Sequence, residues 1–388
     1  MKRLFALVSL VLLSLALFAC DGSRGSGEFK VGLIGSAATL QDNGYNQFAV
    51  AGLNKIKQEH DNVSVKTVNI SSQGDIATSL DEFGQQGYDL VFTLEYNFEA
   101  LITTYSGGDP IAKRYPKTTF VVFNEFANTG KDGKRIHDNV IEVIFGVNES
   151  SFLAGALSVL VNENRAVLFE GKGYTFANER ALAFVGGTDS NGIRVFSYGF
   201  VEGANYMANE LNTPKYKFYE DNTAGFGASQ ENATKIKTFY ENGVNIVYGA
   251  AGGVADNIRN EAETAKRLMV DVDANQDALK PGHVLTSVLK KTDAVTYGMT
   301  KELINGTLKN SDATRYYDLK SEGTGITDLA TISGYIANTE AAKAKWTEIK
   351  NKVNALAEKI KSGQIKVTDA QKGEALDKSK LPKITFVN

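Results

Sequence analysis

Short apolar runs rich in β-branched residues alternate, in the first third of the chain, with segments whose apolar positions repeat at helical spacing. The runs lie at 30–35, 63–69, 89–94 and 119–123, and the helical segments lie near 46–59, 74–86 and 98–114. Strands that alternate with helices in this way form βαβ units, whose right-handed crossovers place the strands parallel in one sheet. The pattern therefore predicts an α/β lobe with an open, doubly wound parallel sheet.

The same alternation begins again after residues 141–145. Apolar runs with helical segments between them follow at 181–185, 216–219, 245–248 and 268–272. This repetition predicts a second lobe of the same kind. Beyond it, the chain contains a strand-like run at 283–289, a helix near 293–308 and an extended segment at 315–319. These elements indicate that the chain returns to the first lobe and crosses again.

We therefore expect two lobes that are joined by a hinge of several chain crossings. The first lobe is assigned 29–146 and about 275–310, and the second lobe 147–274 and about 311–388. Near the end of the chain, an amphipathic stripe at helical spacing consists of Trp346, Ile349, Val353, Leu356 and Ile360. We expect this stripe to pack on its own lobe, with docking of a partner helix as the alternative.

The N-terminus has the pattern of a secretory signal. Lys2 and Arg3 precede an apolar run at 4–19, which is too short for a comfortable membrane span. The run ends in LFAC at 17–20, which resembles the bacterial lipobox, whose cysteine becomes the lipidated first residue of the mature protein. We expect a signal peptide at 1–19, lipidation at Cys20 and a flexible tether at 20–28 that holds the protein at a membrane surface outside the cytoplasm. An ordinary signal peptide that happens to contain Cys20 is the alternative.

Composition and charge exclude several classes of protein. The 388 residues include 42 Lys and Arg against 45 Asp and Glu, a net charge of −3 without a long basic block, which disfavours nucleic acid as a partner. One cysteine and three widely spaced histidines give no disulfide framework and no metal-ligand spacing. Common catalytic and dinucleotide-binding signatures are absent from the sequence. We therefore expect neither an enzyme nor a bound cofactor or metal.

Seven short motifs occur in the order found in the basic-membrane-protein family of bacterial lipoproteins. They are DNGYNQ at 42–47, SFLAG at 151–155, FVGG at 184–187, Phe196 with GF at 199–200, VYGAAGG at 247–253, VDVD at 270–273 and TSVLKK at 286–291. Nearly all of the mature chain resembles this family, which is similar to purine-nucleoside-binding components of ABC importers. The resemblance implies a type I periplasmic-binding-protein fold, a nucleoside ligand and an ABC permease as partner. We expect a monomer.

The resemblance also implies roles for individual residues. Asp42, Tyr45 and Asn46 follow the first strand and match a family loop that carries an aromatic ring and polar groups. Phe196 matches an aromatic residue that would cover the other face of the base. A nucleoside offers two such faces, and a ribose whose hydroxyls suit charged partners. The family's ribose contacts match Asp271 and Lys290.

Two positions leave alternatives open. At the end of the fourth strand, where the family commonly has a base-reading aspartate, this chain has Asn124, and a shift of one residue would make Glu125 the contact. Gly249 begins a glycine-rich loop that allows close approach of the backbone to a ligand or to a neighbouring helix. Of the carboxylates Asp271 and Asp273, we expect at most one to reach the cleft.

Other functions compete with this interpretation. Within the same fold, the ligand is alternatively a sugar or another small polar molecule, which would not need an aromatic ring on each face. A doubly wound oxidoreductase is disfavoured because the sequence has no G-x-G-x-x-G dinucleotide-binding motif after the first strand. A surface adhesin or antigen with a vestigial cleft is the third class.

Overall fold

The computed structural model describes residues 27–36, 39–72, 74–94, 98–130, 134–308 and 314–387. The predicted signal peptide, Cys20 and most of the predicted tether lie outside these residues. The strands are β1 (Phe29–Ile34), β2 (Val63–Val68), β3 (Leu90–Thr93), β4 (Thr119–Phe123), β5 (Val140–Phe145), β6 (Ala181–Gly186), β7 (Tyr216–Asp221), β8 (Ile246–Ala250), β9 (Leu268–Asp273), β10 (Val284–Lys290), β11 (Thr314–Tyr317), β12 (Thr324–Ile326) and β13 (Ile384–Val387). The helices are α1 (Tyr45–Glu59), α2 (Gly74–Gln85), α3 (Glu99–Ile102), α4 (Ile111–Arg114), α5 (Val147–Leu168), α6 (Asn191–Glu210), α7 (Gln230–Glu241), α8 (Val254–Thr264), α9 (Thr292–Ile304), α10 (Ala330–Ser333) and α11 (Glu340–Lys361), with short 3-10 helices at Ala370–Lys372 and Lys378–Lys380.

The first lobe is built on a parallel sheet. In the described part of the chain this sheet has six strands, in the order β11-β5-β4-β3-β1-β2. Strand β1 pairs with both β2 and β3, so the strand order reverses at β1. Strands β3 and β5 are buried along their whole length, as expected for a parallel sheet with helices on both faces. Ligands of such sheets bind at the carboxyl ends of the strands, near the reversal.

The second lobe repeats this plan. Among the described residues its sheet has seven strands, in the order β12-β10-β9-β8-β6-β7-β13. Every pair is parallel except β10 with β12. The predicted class, an α/β protein with two doubly wound sheets in a type I periplasmic-binding arrangement, is confirmed.

The described chain passes between the lobes at three places: at Gly146 after β5, between β10 and α9, and between β11 and β12. Two strands differ from the predicted division. Strand β10 lies beside β9 in the second sheet, so assigning all of 275–310 to the first lobe was wrong for this strand. Strand β11 extends the first sheet beside β5, so assigning 311–388 to the second lobe was wrong for that strand. The pairing decides membership: β10 lies between β9 and β12 in the second sheet, and β11 forms the edge of the first sheet beside β5.

Helix packing follows the apolar pattern with one exception. The predicted stripe on α11 is buried and packs mainly against α5 of its own lobe, which confirms the expected placement. The predicted helix at 98–114 is wrong: it is two short helices, α3 and α4. Gly107 has φ of +71° between them, and Pro110 precedes α4. Both residues disfavour a continuous helix.

Candidate functional site

A cavity of about 730 Å³ lies between the lobes. The first lobe contributes the loop before α1, Leu94 after β3 and Glu125 after β4. The second lobe contributes the start of α6, the glycine-rich loop after β8 and the carboxyl ends of β9 and β10. The cavity therefore occupies the position that two facing doubly wound sheets give to a ligand.

Asp42 and Asn46 line the cavity and also fix the loop before α1. The Asp42 carboxylate accepts from the backbone N–H groups of Gly44, Asn46 and Gln47 at 2.9, 3.0 and 3.1 Å, and from Asn46 Nδ2 at 2.8 Å. Asn46 Nδ2 also donates to Ser36 Oγ, and its Oδ1 accepts from the Ser36 backbone N–H, each at 2.8 Å. These bonds use all four acceptor sites of the carboxylate. Both side chains thus hold in place the turn that presents Tyr45.

Tyr45 and Phe196 bring one aromatic ring from each lobe to the cavity. The Lys290 ammonium lies 5.0 Å from the centroid of Tyr45 and 5.3 Å from that of Phe196, with Phe145 at 5.5 Å. These are cation–π distances. A third ring, Phe226, lies on the loop after β7 and lines the cavity with 42% of its surface exposed. Tyr45, Phe145 and Phe196 surround the buried Lys290 ammonium, and Phe226 adds apolar surface to the cavity lining.

Lys290 and Asp273 are an oppositely charged pair at the ends of neighbouring strands. Lys290 is 4% exposed, and burial lowers its pKa to about 8 against the opposing effect of Asp273. Burial raises the pKa of Asp273 to about 6, while Lys290 opposes that shift. Asp42 and Asp271 also raise the pKa of Asp273. Both groups are ionised near neutral pH and line the cavity.

Asp271 is paired with Arg259, a residue of α8 that the sequence analysis missed. Their side chains are hydrogen-bonded and almost fully buried, and Arg259 also donates to Asp256 at 2.5 Å. Burial raises the pKa of the Asp271 carboxyl, although the guanidinium opposes this. Asp271 and Asp273 both line the cavity, so the expectation that at most one would reach it was wrong. Residues two apart in a strand project to the same side.

The two candidates for the base contact, Asn124 and Glu125, differ in their position relative to the cavity. Asn124 is buried and lies outside the cavity lining, and its Nδ2 donates to the Tyr45 hydroxyl at 2.7 Å. Glu125, the alternative, lines the cavity. Burial, and then the nearby Glu142, raise the pKa of the Glu125 carboxyl.

Gly249 also lies outside the cavity lining. A Cβ at this position would lie 2.3 Å from Ile258 Cδ1, so the glycine allows β8 to approach α8 closely. Of the two predicted reasons for this glycine, a ligand or a neighbouring helix, the structure therefore shows the helix. Gly252 of the same loop, with φ of +51°, does line the cavity. A Cβ on Gly187 would lie 2.4 Å from the ring of Phe226, an aromatic residue of the lining that the sequence analysis missed.

The chemistry of the site is that of binding. Aromatic faces, the Asp271–Arg259 ion pair, the charges of Asp273 and Lys290, and amide groups surround a volume that suits a small polar molecule with an apolar ring. Among the described residues, no three His, Cys, Asp or Glu side chains are placed to hold a metal ion. The described helices include none with the length and apolar character needed to cross a membrane.

A hinged pair of α/β lobes with a ligand-sized cavity between them defines a solute-binding protein of the periplasmic type. The chain belongs to the family of PnrA-like ABC transporter substrate-binding proteins, whose family model matches residues 30–371. This membership confirms the resemblance found in the sequence, and members of this family are not enzymes. The chain therefore binds a small molecule and works with the permease of an ABC transporter in the cell envelope.

Individual relatives agree with this assignment. Basic membrane protein D of Borreliella burgdorferi (strain JD1) is 26% identical over 365 residues, which cover 92% of this chain and 93% of that protein. The ABC transporter nucleoside-binding protein BmpA of Lactococcus lactis subsp. cremoris (strain MG1363) is also 26% identical, covering 91% of this chain and 98% of that protein. An ABC transporter solute-binding protein of Aeropyrum pernix K1 shares the fold, with a TM-score of 0.71 at 20% identity, over 88% of this chain and 93% of that one.

Proposed function

We propose that the cavity binds a purine nucleoside and that the protein delivers it to the permease of an ABC importer. The observation that carries this proposal is the combination of Tyr45 and Phe196, one aromatic ring from each lobe, with the charged side chains at the ends of β9 and β10. The nucleoside-binding relative from Lactococcus lactis supports the same ligand class.

The base would lie between the two rings. A purine has two π-faces, and stacking on an aromatic side chain contributes about 1 to 3 kcal/mol per face. Because Tyr45 begins α1 of the first lobe and Phe196 lies in α6 of the second, a flat ring contacts both when the lobes close. Phe226 adds apolar surface to the same cavity.

The ribose would meet the charged side chains. A vicinal diol donates to the carboxylates of Asp271 and Asp273 and accepts from the Lys290 ammonium, and each such bond is worth about 1.5 to 3 kcal/mol. Two faces and two such bonds give about 5 to 12 kcal/mol. Association costs at least about 4 kcal/mol, so lobe closure and backbone contacts must also contribute.

The charge of the lining favours a nucleoside over a nucleotide. Asp42, Glu125, Asp271 and Asp273 face the cavity from the described residues, against the cations Arg259 and Lys290. A phosphate group would add negative charge to a region that already has an excess of carboxylates.

Calorimetry with inosine, hypoxanthine, free ribose and inosine monophosphate tests the proposal. Inosine should bind far more tightly than either of its parts, because the site divides its contacts between ring and sugar. Phe196→Leu should weaken inosine binding, while the control Phe176→Leu, in an aromatic cluster with Phe169 and Tyr174, should not. Equal affinity for ribose and inosine would favour a sugar-binding protein, and no heat with any nucleoside would remove the nucleoside proposal.

Lipidation of Cys20 is a second part of the proposed function. The apolar run and the LFAC sequence support a lipid anchor that keeps the protein beside its permease. The full chain, expressed in a bacterium fed labelled palmitate, should carry label and partition into detergent. Cys20→Ser should abolish both, and labelling that persists in this variant would contradict the anchor.

A further inference from the structure

The two lysines of the TSVLKK motif line two different cavities. Lys290 lines the cavity between the lobes, whereas Lys291 lines a second cavity of about 310 Å³. The two linings share no residue. Small-molecule sites have volumes of about 300 to 1,000 Å³, so the second cavity is large enough for a small ligand.

The second cavity lies in the second lobe, beside two of the chain crossings. Helices α5 and α11 and the edge strand β12 contribute to its wall. Lys291, between β10 and α9, and Leu319 and Glu322, between β11 and β12, belong to the crossing segments. The backbone N–H of Lys291 donates to the carbonyl oxygen of Gly323 at 3.1 Å, which joins the two crossings. A molecule in this cavity would contact both crossings and α11 at once.

Three lysines give the second cavity a positive lining. Lys350 and Lys361 of α11 join Lys291, against the carboxylates of Glu322 and Asp328. Lys361 is paired with a glutamate of its own helix at 3.0 Å, whereas Lys291 and Lys350 form no ion pair with a carboxylate in the described part of the chain. The cavity between the lobes has the opposite balance, with an excess of carboxylates. An anion therefore suits the second cavity better than the first.

The rest of the second lining is largely apolar. Leu289, Ile326 and Ala357 are half-buried and present hydrocarbon surface to the cavity. Leu329, also in the lining, has φ of +64°, and it is the only large apolar residue with a left-handed backbone among the described residues. A leucine rarely adopts this conformation, and strained backbone of this kind is concentrated at functional sites.

We propose that the second cavity binds a small amphipathic anion, with one carboxylate or phosphate group on a short hydrocarbon chain. The lysines hold the charged group through charge-assisted hydrogen bonds, and the hydrocarbon chain displaces water from the apolar wall. The bound molecule thereby ties both crossing segments to α11. Binding at this site is independent of the identity of the ligand between the lobes, so its failure and that of the nucleoside proposal are separate results.

Calorimetry with octanoate, octyl phosphate, octanol and acetate tests the ligand class. Octanoate or octyl phosphate should bind about tenfold more tightly than octanol, which lacks the charge, and than acetate, which lacks the chain. The tighter of the two anions identifies the head group. Equal affinity for octanol, or binding of neither anion, would overturn the proposal.

Two variants on α11 test the location. Lys350→Gln should weaken octanoate binding about tenfold, while the matched control Lys343→Gln, exposed on the same helix and outside the lining, should not. Ala357→Leu should fill part of the cavity and weaken octanoate as well, while Ala341→Leu, at an exposed position of α11, should leave it unchanged. Octanoate binding that is unaffected by both Lys350→Gln and Ala357→Leu would overturn the site.

Hydrogen exchange of the wild type locates the bound anion without any mutation. Octanoate should slow amide exchange in the segments at 289–292 and 319–327 and in α11 near 350–361, because it holds these segments together. The loop at 42–47, beside the cavity between the lobes, should exchange at its ligand-free rate. Protection confined to that loop would place octanoate between the lobes and would overturn the second site.

Discussion

At the residue scale, Lys290 and Asp273 hold charges that the folded protein itself disfavours. The pKa of Lys290 falls from its ordinary 10.5 to about 8, so the unfolded chain holds this proton more tightly and stability rises as pH increases from about 8 to 10.5. The pKa of Asp273 rises from 3.8 to about 6, so stability falls as pH increases across that window. Near neutral pH both buried charges therefore destabilise the ligand-free protein, and strongly shifted pKa values of this kind are concentrated at functional sites.

Nucleoside affinity should therefore be greatest between about pH 6 and pH 8. Below this window Asp273 becomes protonated and Lys290 loses its counter-charge; above it the ammonium is deprotonated and loses one donor proton. Calorimetry with inosine at pH 5, 7 and 9.5 measures the profile. Asp273→Asn should remove the loss of affinity at pH 5 and keep the loss at pH 9.5. Equal affinity of the wild type at all three pH values would contradict a role for this pair in binding.

Asp271→Asn should reduce both inosine binding and stability. Binding should weaken by about 2 to 5 kcal/mol if the carboxylate contacts the ribose in a closed cavity. The ligand-free protein should lose about 1 to 3 kcal/mol, because Arg259 loses a buried partner and keeps only Asp256. Urea unfolding measures the second effect. For the first, 2′,3′-dideoxyinosine should be much less sensitive to the mutation than inosine; an equal loss would mean that Asp271 acts through Arg259 alone.

The sequence motifs identified residues that the fold brings to one cavity, namely Tyr45, Phe196, Asp271 and Lys290. The motifs identified these residues because each of the four lies in one of the seven motifs that occur in the family's order. The sequence could not decide which of Asn124 and Glu125 lines the cavity, because this depends on a left-handed turn at one residue. Arg259 was missed because a helical arginine beside polar neighbours has the pattern of a solvated surface.

At the element scale, two of the recognised motifs shape a helix contact rather than the cavity. Gly155 of α5 and Gly203 of α6 face each other's helix so closely that a Cβ on either would lie 2.0 Å from a backbone carbonyl oxygen. Gly199 is similarly close, at 2.1 Å from the carbonyl of Asn148. Helix α5 leads from the first lobe into the second and α6 carries Phe196, so this contact fixes the aromatic ring relative to the hinge.

Gly155→Ala should destabilise the protein by about 3 kcal/mol, because the added methyl group meets a backbone oxygen of Phe200 that cannot rotate away. The matched control is Gly298→Ala in α9, where a Cβ meets nothing within 4 Å. That change should stabilise the protein by about 0.5 to 1 kcal/mol, the usual preference of a helix for alanine. Urea unfolding of both variants measures the difference, and two equal effects would contradict a close helix contact at Gly155.

The periodicity of the chain predicted most elements, since β4 was predicted at the observed bounds and α11 buries the predicted stripe. It failed where local breakers act, as between α3 and α4. It also could not divide the last strands between the lobes. An apolar run such as β10 fits either sheet, and only its pairing with β9 and β12 shows that it belongs to the second.

At the scale of the whole molecule, glutamine side chains of the second lobe bind backbone carbonyls of the first. Gln276, just after β9, donates to the carbonyl oxygen of Asn43, and Gln371 donates to that of Asn124 at 3.2 Å. Both asparagines have positive φ, +54° and +64°. Gln371 belongs to the second lobe because the neighbouring Thr368 is hydrogen-bonded to Glu202 of α6. These bonds join the two lobes directly, and they are lost if the lobes open.

Gln371→Ala should lower the affinity for every nucleoside by one common factor. The Gln371 side chain lies outside the cavity lining, so its bond to Asn124 stabilises the closed arrangement without touching a ligand. A ligand that binds only the closed state loses affinity in proportion to the population of that state. Loss of one hydrogen bond of ordinary strength should lower the affinity about threefold to tenfold.

Calorimetry with inosine, guanosine and adenosine should show the same fold-loss of affinity for all three. The control Gln364→Ala, at an exposed position after α11, should leave the three affinities unchanged. Small-angle scattering of the ligand-free protein should show a larger radius of gyration for Gln371→Ala. Factors that differ between the bases would mean that Gln371 acts on the ligand site, and an unchanged affinity would mean that this bond does not contribute to closure.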